Sequence, residues 1–334
     1  MSHVAVLGAG AWGTALSRHL AERGQHVRLW SWQAEHVAAL QRDRENRAFF
    51  PGHPLPDLVE PLVELDAALD AASAVLVVVP TPAVRETLSR AAQLLPSSAV
   101  LVLASKGIET GSLMLLTEVV ADVLGPERAR SAVVLSGPSF AEEVARGLPT
   151  NLVAASLEPQ AAAATQALVS GERLRVYRSG DPVGVQVGGA LKNVIAIAAG
   201  ACDGLGFGHN TRAALITRGL AEMARLAAAK GGESITLAGL AGLGDLVLTA
   251  SVDLSRNRTV GFELARGRTL EQVLGGLGHV AEGVTTAKSA TDLAARLDVE
   301  LPISSEVYRV LYEGKPVSEA VSELLHRPPG TEWS

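Results

Sequence analysis

A single cation lies inside one of the most apolar stretches of the chain. In the segment 190–197, which reads Ala-Leu-Lys-Asn-Val-Ile-Ala-Ile, Lys192 is the only charged residue. Burial of a lysine costs free energy unless the ammonium has a partner or a task, and desolvation lowers its pKa toward the range that is useful for proton transfer. We therefore expect Lys192 to act as a general acid in one direction of a reaction and as a general base in the other. The alternative is a lysine whose ammonium reaches solvent.

An aspartate, Asp245, lies among glycines and aliphatic residues in the segment 239–249. A carboxylate in such surroundings needs a hydrogen-bond donor, and either a substrate hydroxyl or the Lys192 ammonium would provide one. The alternative is a helix-capping aspartate. No predicted strand precedes these glycines, so we do not assign them to nucleotide binding.

Anion-binding groups occur in two further segments. Ser255, Arg256 and Asn257 offer a hydroxyl, a guanidinium and an amide, which suits a phosphate and a neighbouring hydroxyl, although a polar helix start would look the same. Lys106 follows the predicted strand 100–104, at the strand end where open α/β sheets bind ligands, unless it is a solvated lysine in a turn. Arg256 and Lys106 together could neutralise a dianion.

The segment 136–141, Ser-Gly-Pro-Ser-Phe-Ala, follows another predicted strand. Its small residues leave backbone N–H groups and a hydroxyl free before a helix that we expect to begin near Ala141, which makes this turn a candidate anion cradle. Gly-Pro turns also end many strands without binding anything.

The segment 8–13, Gly-Ala-Gly-Ala-Trp-Gly, matches the pattern G-x-G-x-x-G between a predicted strand and a predicted helix. Gly8 permits the tight turn, Gly10 lets the backbone approach a pyrophosphate, and Gly13 lets helix and strand pack closely, with the helix N-terminus facing the phosphates. The alternative is a glycine-rich structural turn. Together with Lys192, the pattern predicts a dehydrogenase that exchanges a hydride with a nicotinamide dinucleotide.

The choice between NADH and NADPH is open in the sequence. An NAD site usually has an acidic residue at the end of the second strand, where it binds the ribose 2′-hydroxyl. The segment 29–33 reads Leu-Trp-Ser-Trp-Gln, and the nearest acid is Glu35. A 2′-phosphate would meet no carboxylate, yet no arginine follows directly to attract one. The sequence slightly favours NADPH.

Short β-branched runs alternate with helical patterns in the first half of the chain, which is the signature of βαβ units. Beyond Asp181 this alternation gives way to long helical patterns rich in Ala, Leu and Gly. We predict a doubly wound (Rossmann) parallel sheet over residues 1–181, which binds the dinucleotide. We predict an all-α substrate-binding and catalytic domain over residues 182–334. The predicted strands are 4–7, 27–30, 75–79, 100–104, 132–136 and 152–155, with a last strand-like run at 174–177.

Composition and charge argue against several classes of protein. Hydrophobic residues make up 48% and charged residues 19% of the 334 residues, which favours compact folded domains over disorder. A net charge of −6 without any basic run predicts no nucleic-acid partner. The apolar stretch 185–206 contains polar and charged residues, including Lys192 and Asp203, so we expect a buried helix and no membrane span.

The remaining expectations concern the compartment, metals and assembly. Cys202 is the only cysteine, so no intrachain disulfide can form and a reducing compartment fits. The sequence begins almost directly with a predicted strand and without a basic leader, so we expect a cytoplasmic protein. The eight histidines show no ligand spacing and Lys192 can supply electrophilic assistance, so we expect no metal. We hypothesise a homodimer through the apolar helices of the second half.

With these motifs assembled, the chain is similar over essentially its whole length to the bacterial-type NAD(P)-dependent glycerol-3-phosphate dehydrogenase family. The segments 8–15, 105–109, 136–141 and 191–196 carry the resemblance. It implies the reversible reduction of dihydroxyacetone phosphate to sn-glycerol 3-phosphate, the backbone of glycerophospholipids, with NADPH or NADH as the cofactor.

The resemblance also implies roles for individual residues, with proton transfer assigned to Lys192. Contacts with the cofactor are implied for Gly8, Gly10, Ala11, Trp12, Gly13, Trp32, Lys106, Ala141, Arg256, Val280 and Glu282. Contacts with the substrate are implied for Lys106, Gly137, Ser139, Lys192, Asp245, Ser255, Arg256 and Asn257. Trp32 is a departure, because relatives can carry a polar or basic residue there beside the adenosine. The resemblance therefore does not decide whether this position contacts the 2′-phosphate of NADPH.

Two other functions are compatible with these residues. Another two-domain hydroxyacid or sugar-acid dehydrogenase would share the fold and the Lys-Asn helix, and activity on an unphosphorylated hydroxyacid alone would favour it. A non-catalytic NAD(P)H-sensing regulator would bind the dinucleotide without turnover and would have no use for Lys192.

Overall fold

The computed structural model describes residues 2–277, 281–328 and 331–332 of the chain. The chain forms two compact units. The first comprises Met1–Ser105 and Leu116–Pro182, and the second comprises Lys106–Leu115 and Val183–Ser334. The short segment Lys106–Leu115 thus packs with the second unit, although both of its neighbours along the chain belong to the first.

In the described residues of the first unit ten strands form, and eight of them make one sheet. The sheet order is β5-β2-β1-β6-β7-β8-β9-β10, and every neighbouring pair is parallel except β8 and β9. The chain runs outward from β1 in one direction and then in the other, so the predicted doubly wound sheet is confirmed. The strands are β1 (His3–Leu7), β2 (Val27–Trp30), β3 (Glu45–Asn46), β4 (Phe50–Pro54), β5 (Val59–Leu62), β6 (Ala72–Val77), β7 (Val100–Leu103), β8 (Val133–Ser136), β9 (Thr150–Ala155) and β10 (Leu174–Ser179).

Helices pack against this sheet and bury its central strands. All five residues of β1 are buried, because a parallel strand covered on both faces has no solvent-facing side. Leu16 of the first helix packs with Leu29 and Leu76 in the same apolar core. The helices of the first unit are α1 (Ala11–Glu22), α2 (Ala34–Asp43), α3 (Leu65–Leu69), α4 (Val84–Ala91), α5 (Leu116–Leu124), α6 (Pro126–Ser131), α7 (Ala141–Ala145) and α8 (Pro159–Val169).

Three strands were not predicted from the sequence. β5 lies at the sheet edge and contains Pro61, which lacks a backbone donor and weakens the strand signal. β3 and β4 form a separate two-stranded hairpin directly after α2. The antiparallel pairing of β8 with β9 is the one exception to the predicted parallel sheet; an apolar run indicates a buried strand but does not indicate its direction.

The second unit is helical in its described residues, as predicted for the second half of the chain. Its longest helix spans Pro182–Gly204 and is long and apolar enough to cross a membrane, but 94% of its most apolar window is buried inside the protein. This is the expected core helix. The helices are α9 (Pro182–Gly204), α10 (His209–Ala229), α11 (Asp245–Ser251), α12 (Arg256–Ala265), α13 (Leu270–Leu277), α14 (Glu282–Arg296), α15 (Pro302–Tyr312) and α16 (Val317–His326).

Glycines let α9 pack closely on α12. A Cβ at Gly200 would clash with the backbone oxygen of Arg258, and a Cβ at Gly261 would clash with that of Ile197. The two backbones therefore touch, which fixes the start of α12 relative to the helix that carries Lys192. A π-helical turn, Leu240–Gly244, leads directly into α11, and such turns are common at functional sites.

Candidate active site

The glycine segment 8–13 joins β1 to α1, as expected. Gly8 has a φ of 123°, which favours glycine, and a Cβ there would lie 2.8 Å from the backbone nitrogen of Val79. A Cβ at Gly13 would clash with the carbonyl oxygen of Gly8. Both glycines are thus required for the turn and for the close packing of helix on strand.

The N-terminus of α1 is suited to an anion. Gly10 is its N-cap, and no described atom outside Gly10 and its two chain neighbours lies within 4 Å of the position a Cβ would take there. The first turn, which begins at Ala11, contains no acidic side chain to neutralise the helix dipole. Trp12 lies in the same first turn, and its indole N–H is buried without a hydrogen-bond partner among the described residues. The first backbone N–H groups of a helix have no intrahelical partner, so this open helix start fits the pyrophosphate of a dinucleotide.

The end of β2 presents an exposed indole. Trp32 is 67% exposed, whereas Ser31 beside it is buried. The Ser31 hydroxyl lies 3.5 Å from Nδ1 of His36, and the Gln33 backbone N–H lies at the same distance from it. The broad, solvated face of Trp32 is available to a ligand at this strand end, where the adenosine ribose binds in such folds.

The segment 136–141 forms a strand-to-helix turn between β8 and α7. Gly137 has a φ of 134°, and a Cβ there would lie 3.0 Å from the carbonyl oxygen of Asn151. The Ser139 hydroxyl donates to the Gly137 carbonyl oxygen at 3.1 Å, and Ala141 is the first residue of α7. The backbone conformation is therefore fixed by glycine, while the Ser139 oxygen keeps lone pairs for a donor.

Two lysines share one carboxylate in the second unit. The ammonium of Lys192 donates to Oδ1 of Asp245, and the ammonium of Lys106 donates to Oδ2 at 2.7 Å. Lys192 and Asp245 are both buried, with exposed fractions of 7% and 1%. Lys192 therefore does not extend to solvent. Asp245 is the first residue of α11 and contributes no side-chain cap, so the capping alternative is wrong.

Burial is the largest single influence on the pKa values of both Lys192 and Asp245, but it decides the direction of the shift only at Lys192. It lowers the pKa of the Lys192 ammonium from 10.5 to about 8; the Asp245 carboxylate opposes the change, and the Lys106 ammonium adds to it. Burial alone would raise the pKa of Asp245, but the two ammonium groups outweigh it and hold that pKa below its usual value. The cluster thus combines a firmly ionised carboxylate with a lysine poised for proton transfer.

Thr249 is a member of this cluster that the sequence reasoning missed. Its hydroxyl accepts a hydrogen bond from the Lys192 ammonium at 2.9 Å and donates to the backbone oxygen of Asp245 at 2.7 Å. The spacing of four residues on α11 places Thr249 and Asp245 on one helix face, and this was the signal available. Two of the three N–H groups of Lys192 are therefore engaged.

The start of α12 is tied to α9 and α14 by amide hydrogen bonds. Asn257 donates through Nδ2 to Oδ1 of Asn193 at 2.9 Å, and its own Oδ1 accepts the backbone N–H of Gly283 at 2.9 Å. Asn193 follows Lys192 directly along α9. Ser255 caps α12 by accepting the Arg258 backbone N–H, and its hydroxyl proton stays available for an acceptor.

The two arginines of α12 have different surroundings. Arg258 binds the Asp203 carboxylate at 2.8 Å and that of Asp253 at 2.5 Å. Its guanidinium is therefore engaged in ion pairs within the protein, one of which joins α12 to α9. Arg256 is exposed and has no hydrogen-bond or ion-pair partner among the described residues. Its guanidinium fork is therefore available for an anion.

The last predicted cofactor segment is described only in part. Glu282 begins α14, and its carboxylate is close enough to raise the pKa of Lys192 slightly against the effect of burial. Val280 lies outside the described residues. No group of three His, Cys, Asp or Glu side chains in the described ranges is placed to hold a metal ion.

Two family descriptions match the chain, one in each half. Residues 3–162 match the N-terminal part of NAD-dependent glycerol-3-phosphate dehydrogenase, and residues 181–322 match the C-terminal part. The chain belongs to this family. Membership makes it an NAD(P)-dependent oxidoreductase by class, as the resemblance implied.

Individual glycerol-3-phosphate dehydrogenases are similar to the chain over nearly their full length. An NAD(P)+ glycerol-3-phosphate dehydrogenase of Geobacter sulfurreducens is 52% identical over 97% of both chains. One of Thioalkalivibrio sulfidiphilus is 52% identical over 99% of this chain and 98% of its own. The crystal structure of glycerol-3-phosphate dehydrogenase from Coxiella burnetii is 42% identical, covers 98% of this chain and 99% of its own, and superposes with a TM-score of 0.93.

Proposed function

We propose that this chain catalyses the reversible NAD(P)H-dependent reduction of dihydroxyacetone phosphate to sn-glycerol 3-phosphate. The observation that carries the proposal is the buried Lys192 ammonium, with a pKa of about 8, held by Asp245 and Thr249 in a member of this dehydrogenase family. Relatives about half identical to the chain carry the name glycerol-3-phosphate dehydrogenase. The product is the glycerol backbone of phospholipids.

Lys192 is the proton donor in the direction of reduction. Asp245 and Thr249 hold two of its N–H groups, and the third is left for the ketone oxygen of the substrate. A hydrogen bond from the ammonium stabilises the negative charge that develops on this oxygen, and proton transfer then completes the alcohol. The nicotinamide, when bound, supplies the hydride. In the oxidation direction neutral Lys192 accepts the hydroxyl proton.

The substrate phosphate calls for cations and donors, which we assign to the start of α12. Arg256 provides a guanidinium fork without a protein partner among the described residues, and Ser255 and Asn257 provide a hydroxyl proton and an amide N–H. Lys106 donates to the same Asp245 carboxylate as Lys192 and would contact a substrate oxygen beside the reacting carbon. Gly137 and Ser139 are the substrate contacts that we assign to the first unit.

The dinucleotide is assigned to the first unit and to part of the second. In the first unit the proposed contacts are Gly8, Gly10, Ala11, Trp12, Gly13, Trp32 and Ala141. In the second unit they are Lys106, Arg256, Val280 and Glu282. The open N-terminus of α1 supports the pyrophosphate position.

Oxidation of NADPH and of NADH with dihydroxyacetone phosphate tests the activity directly. We expect absorbance loss that requires both the enzyme and the phosphorylated ketone. Turnover of an unphosphorylated hydroxyacid alone would favour another two-domain dehydrogenase. Binding of NADH without turnover of any substrate would favour a regulator.

We also propose a cytoplasmic homodimer that associates through the helical unit. The support for the dimer is a set of exposed apolar side chains on that unit, including Ile235, Leu254 and Leu325. The support for the cytoplasm is Cys202, which is buried and forms no disulfide. Light scattering of the purified protein tests the assembly, and a monomer mass would contradict it.

A further inference from the structure

A buried asparagine of the β3–β4 hairpin holds the glycine segment of the first unit. Asn46 has no exposed surface, and its Nδ2 donates to the carbonyl oxygen of Ala9 and to the hydroxyl of Thr14, each at 2.8 Å. Ala9 lies between Gly8 and Gly10, and Thr14 lies in the first turn of α1. Asn46 of the hairpin therefore binds the chain on both sides of the helix start, at Ala9 before it and at Thr14 after it.

The orientation of the Asn46 amide is fixed by partners whose roles are unambiguous. The Phe49 backbone N–H can only donate, and it lies 3.2 Å from Oδ1, while the Ala9 carbonyl can only accept. Oδ1 also lies 3.0 Å from Nε2 of His36, which therefore carries the proton on that nitrogen. All four hydrogen-bonding positions of the amide are occupied, so the side chain cannot turn away from the glycine segment without losing bonds in a buried site.

The bond to Ala9 has a direct consequence for Gly10. A peptide bond is planar and trans, so the carbonyl of Ala9 and the N–H of Gly10 point in opposite directions within one rigid plane. When Asn46 fixes this carbonyl, it also fixes the direction of the Gly10 N–H. Gly10 is also the residue at which a Cβ would meet no described atom within 4 Å other than those of its own chain neighbours.

We propose that Asn46 is a positioning residue for the pyrophosphate of the dinucleotide, because it sets the plane of the peptide between Ala9 and Gly10. This inference rests on one part of the proposed function, which is that the ligand is a dinucleotide. The pyrophosphate is common to NADH and NADPH. Loss of Asn46 therefore weakens the binding of NADH and of NADPH by the same factor. The preference of the protein between the two cofactors is unchanged.

The test replaces Asn46 by a residue of similar shape without hydrogen-bonding groups. Asn46→Leu is expected to raise the dissociation constants of NADH and NADPH by about tenfold each, measured by nucleotide fluorescence without substrate. At saturating cofactor, kcat and the KM for dihydroxyacetone phosphate should stay near their original values. A merely structural role would lower the thermal midpoint of the free protein without this selective effect on the cofactor.

The matched control is Gln41→Met, because Gln41 is also an amide of this unit, yet it donates to Pro61 of β5 at 2.9 Å. It should leave both dissociation constants unchanged. If Asn46→Leu does not fold, Thr14→Val removes one of the two acceptors of Asn46 and should raise both constants by about threefold. Unchanged constants in the folded Asn46→Leu protein, or in Thr14→Val where the former fails to fold, would overturn the proposal. A changed NADPH-to-NADH ratio would also overturn it. Because binding is read without substrate, absence of ketone reduction would count against the proposed function alone.

Discussion

Lys192 donates to one oxygen of the Asp245 carboxylate while the other oxygen of that carboxylate is bound by Lys106 at 2.7 Å. One buried carboxylate therefore binds two ammonium groups. The three groups together carry one net positive charge in apolar surroundings. The Lys106 ammonium adds to the effect of burial on Lys192 and keeps its pKa low. Asp245 opposes both and keeps Lys192 protonated near neutral pH.

The rate of ketone reduction should fall as pH rises through about 8. The Lys192 ammonium is the acid, its pKa is lowered by burial to about 8, and above that pH the lysine is neutral. Oxidation of glycerol 3-phosphate needs the neutral amine, so its kcat/KM should rise over the same range. Opposite limbs in the two pH profiles are the expected result. Two parallel profiles would show that another group titrates.

Removal of the Thr249 hydroxyl should weaken catalysis and move the pH profile. In Thr249→Val the ammonium of Lys192 loses an acceptor at 2.9 Å, so its charged form is less stable and its pKa falls further. We expect kcat for reduction to fall by about three- to tenfold, and the limb near pH 8 to move to lower pH. Thr249→Ser keeps the hydroxyl and should restore both. An unshifted profile in Thr249→Val would argue against this role.

Neutralisation of Asp245 should have a larger effect. Asp245→Asn leaves two ammonium groups facing each other without a carboxylate, so we expect Lys192 to be largely neutral at pH 7 and kcat/KM for reduction to fall by about a hundredfold or more. The control is Asp253→Asn, because that carboxylate is 95% exposed and pairs only at the surface with Arg258. Activity near the original in Asp245→Asn would contradict the assigned arrangement.

Neighbouring arginines of α12 should give different losses. Arg256→Leu is expected to raise the KM for dihydroxyacetone phosphate by about 10- to 100-fold, since a charged hydrogen bond to the phosphate is lost. Its thermal midpoint should not change. Arg258→Leu removes one of the two arginines that bind the Asp203 carboxylate, the other being Arg212, and should lower the free energy of unfolding by about 1.5–3 kcal/mol. The opposite assignment would follow if Arg256→Leu destabilised the protein and left KM unchanged.

The parts of the fold that depend on periodicity could be predicted from the sequence. Near-continuous apolar runs identify central parallel strands such as β1 and β6, and the glycine pattern identifies the turn after β1. Edge strand β5, interrupted by Pro61, carries no such signal. The segment Lys106–Leu115 follows a strand of the first unit yet packs with the second, and no local pattern records a long-range preference of this kind.

The candidate site could be predicted where burial conflicts with charge. Lys192 and Asp245 are ionisable groups in apolar sequence, which is costly unless they are paired. Thr249, Asn193 and Asn46 are polar residues of ordinary helix and hairpin segments, and their importance lies in partners far along the chain. Their hydrogen bonds reach Lys192, Asn257 and Ala9, and only the three-dimensional structure reveals these pairs.

The most direct measurement is the steady-state reduction of dihydroxyacetone phosphate by Lys192→Ala, with NADPH binding measured on the same preparation. We expect turnover to be abolished and the NADPH dissociation constant to stay near that of the original protein, because the proton donor is lost while the glycine segment of the first unit is intact. The control Lys288→Ala removes a half-exposed lysine that pairs with Asp292 and should change neither quantity. Substantial turnover by Lys192→Ala would contradict the assignment of Lys192 as the proton donor.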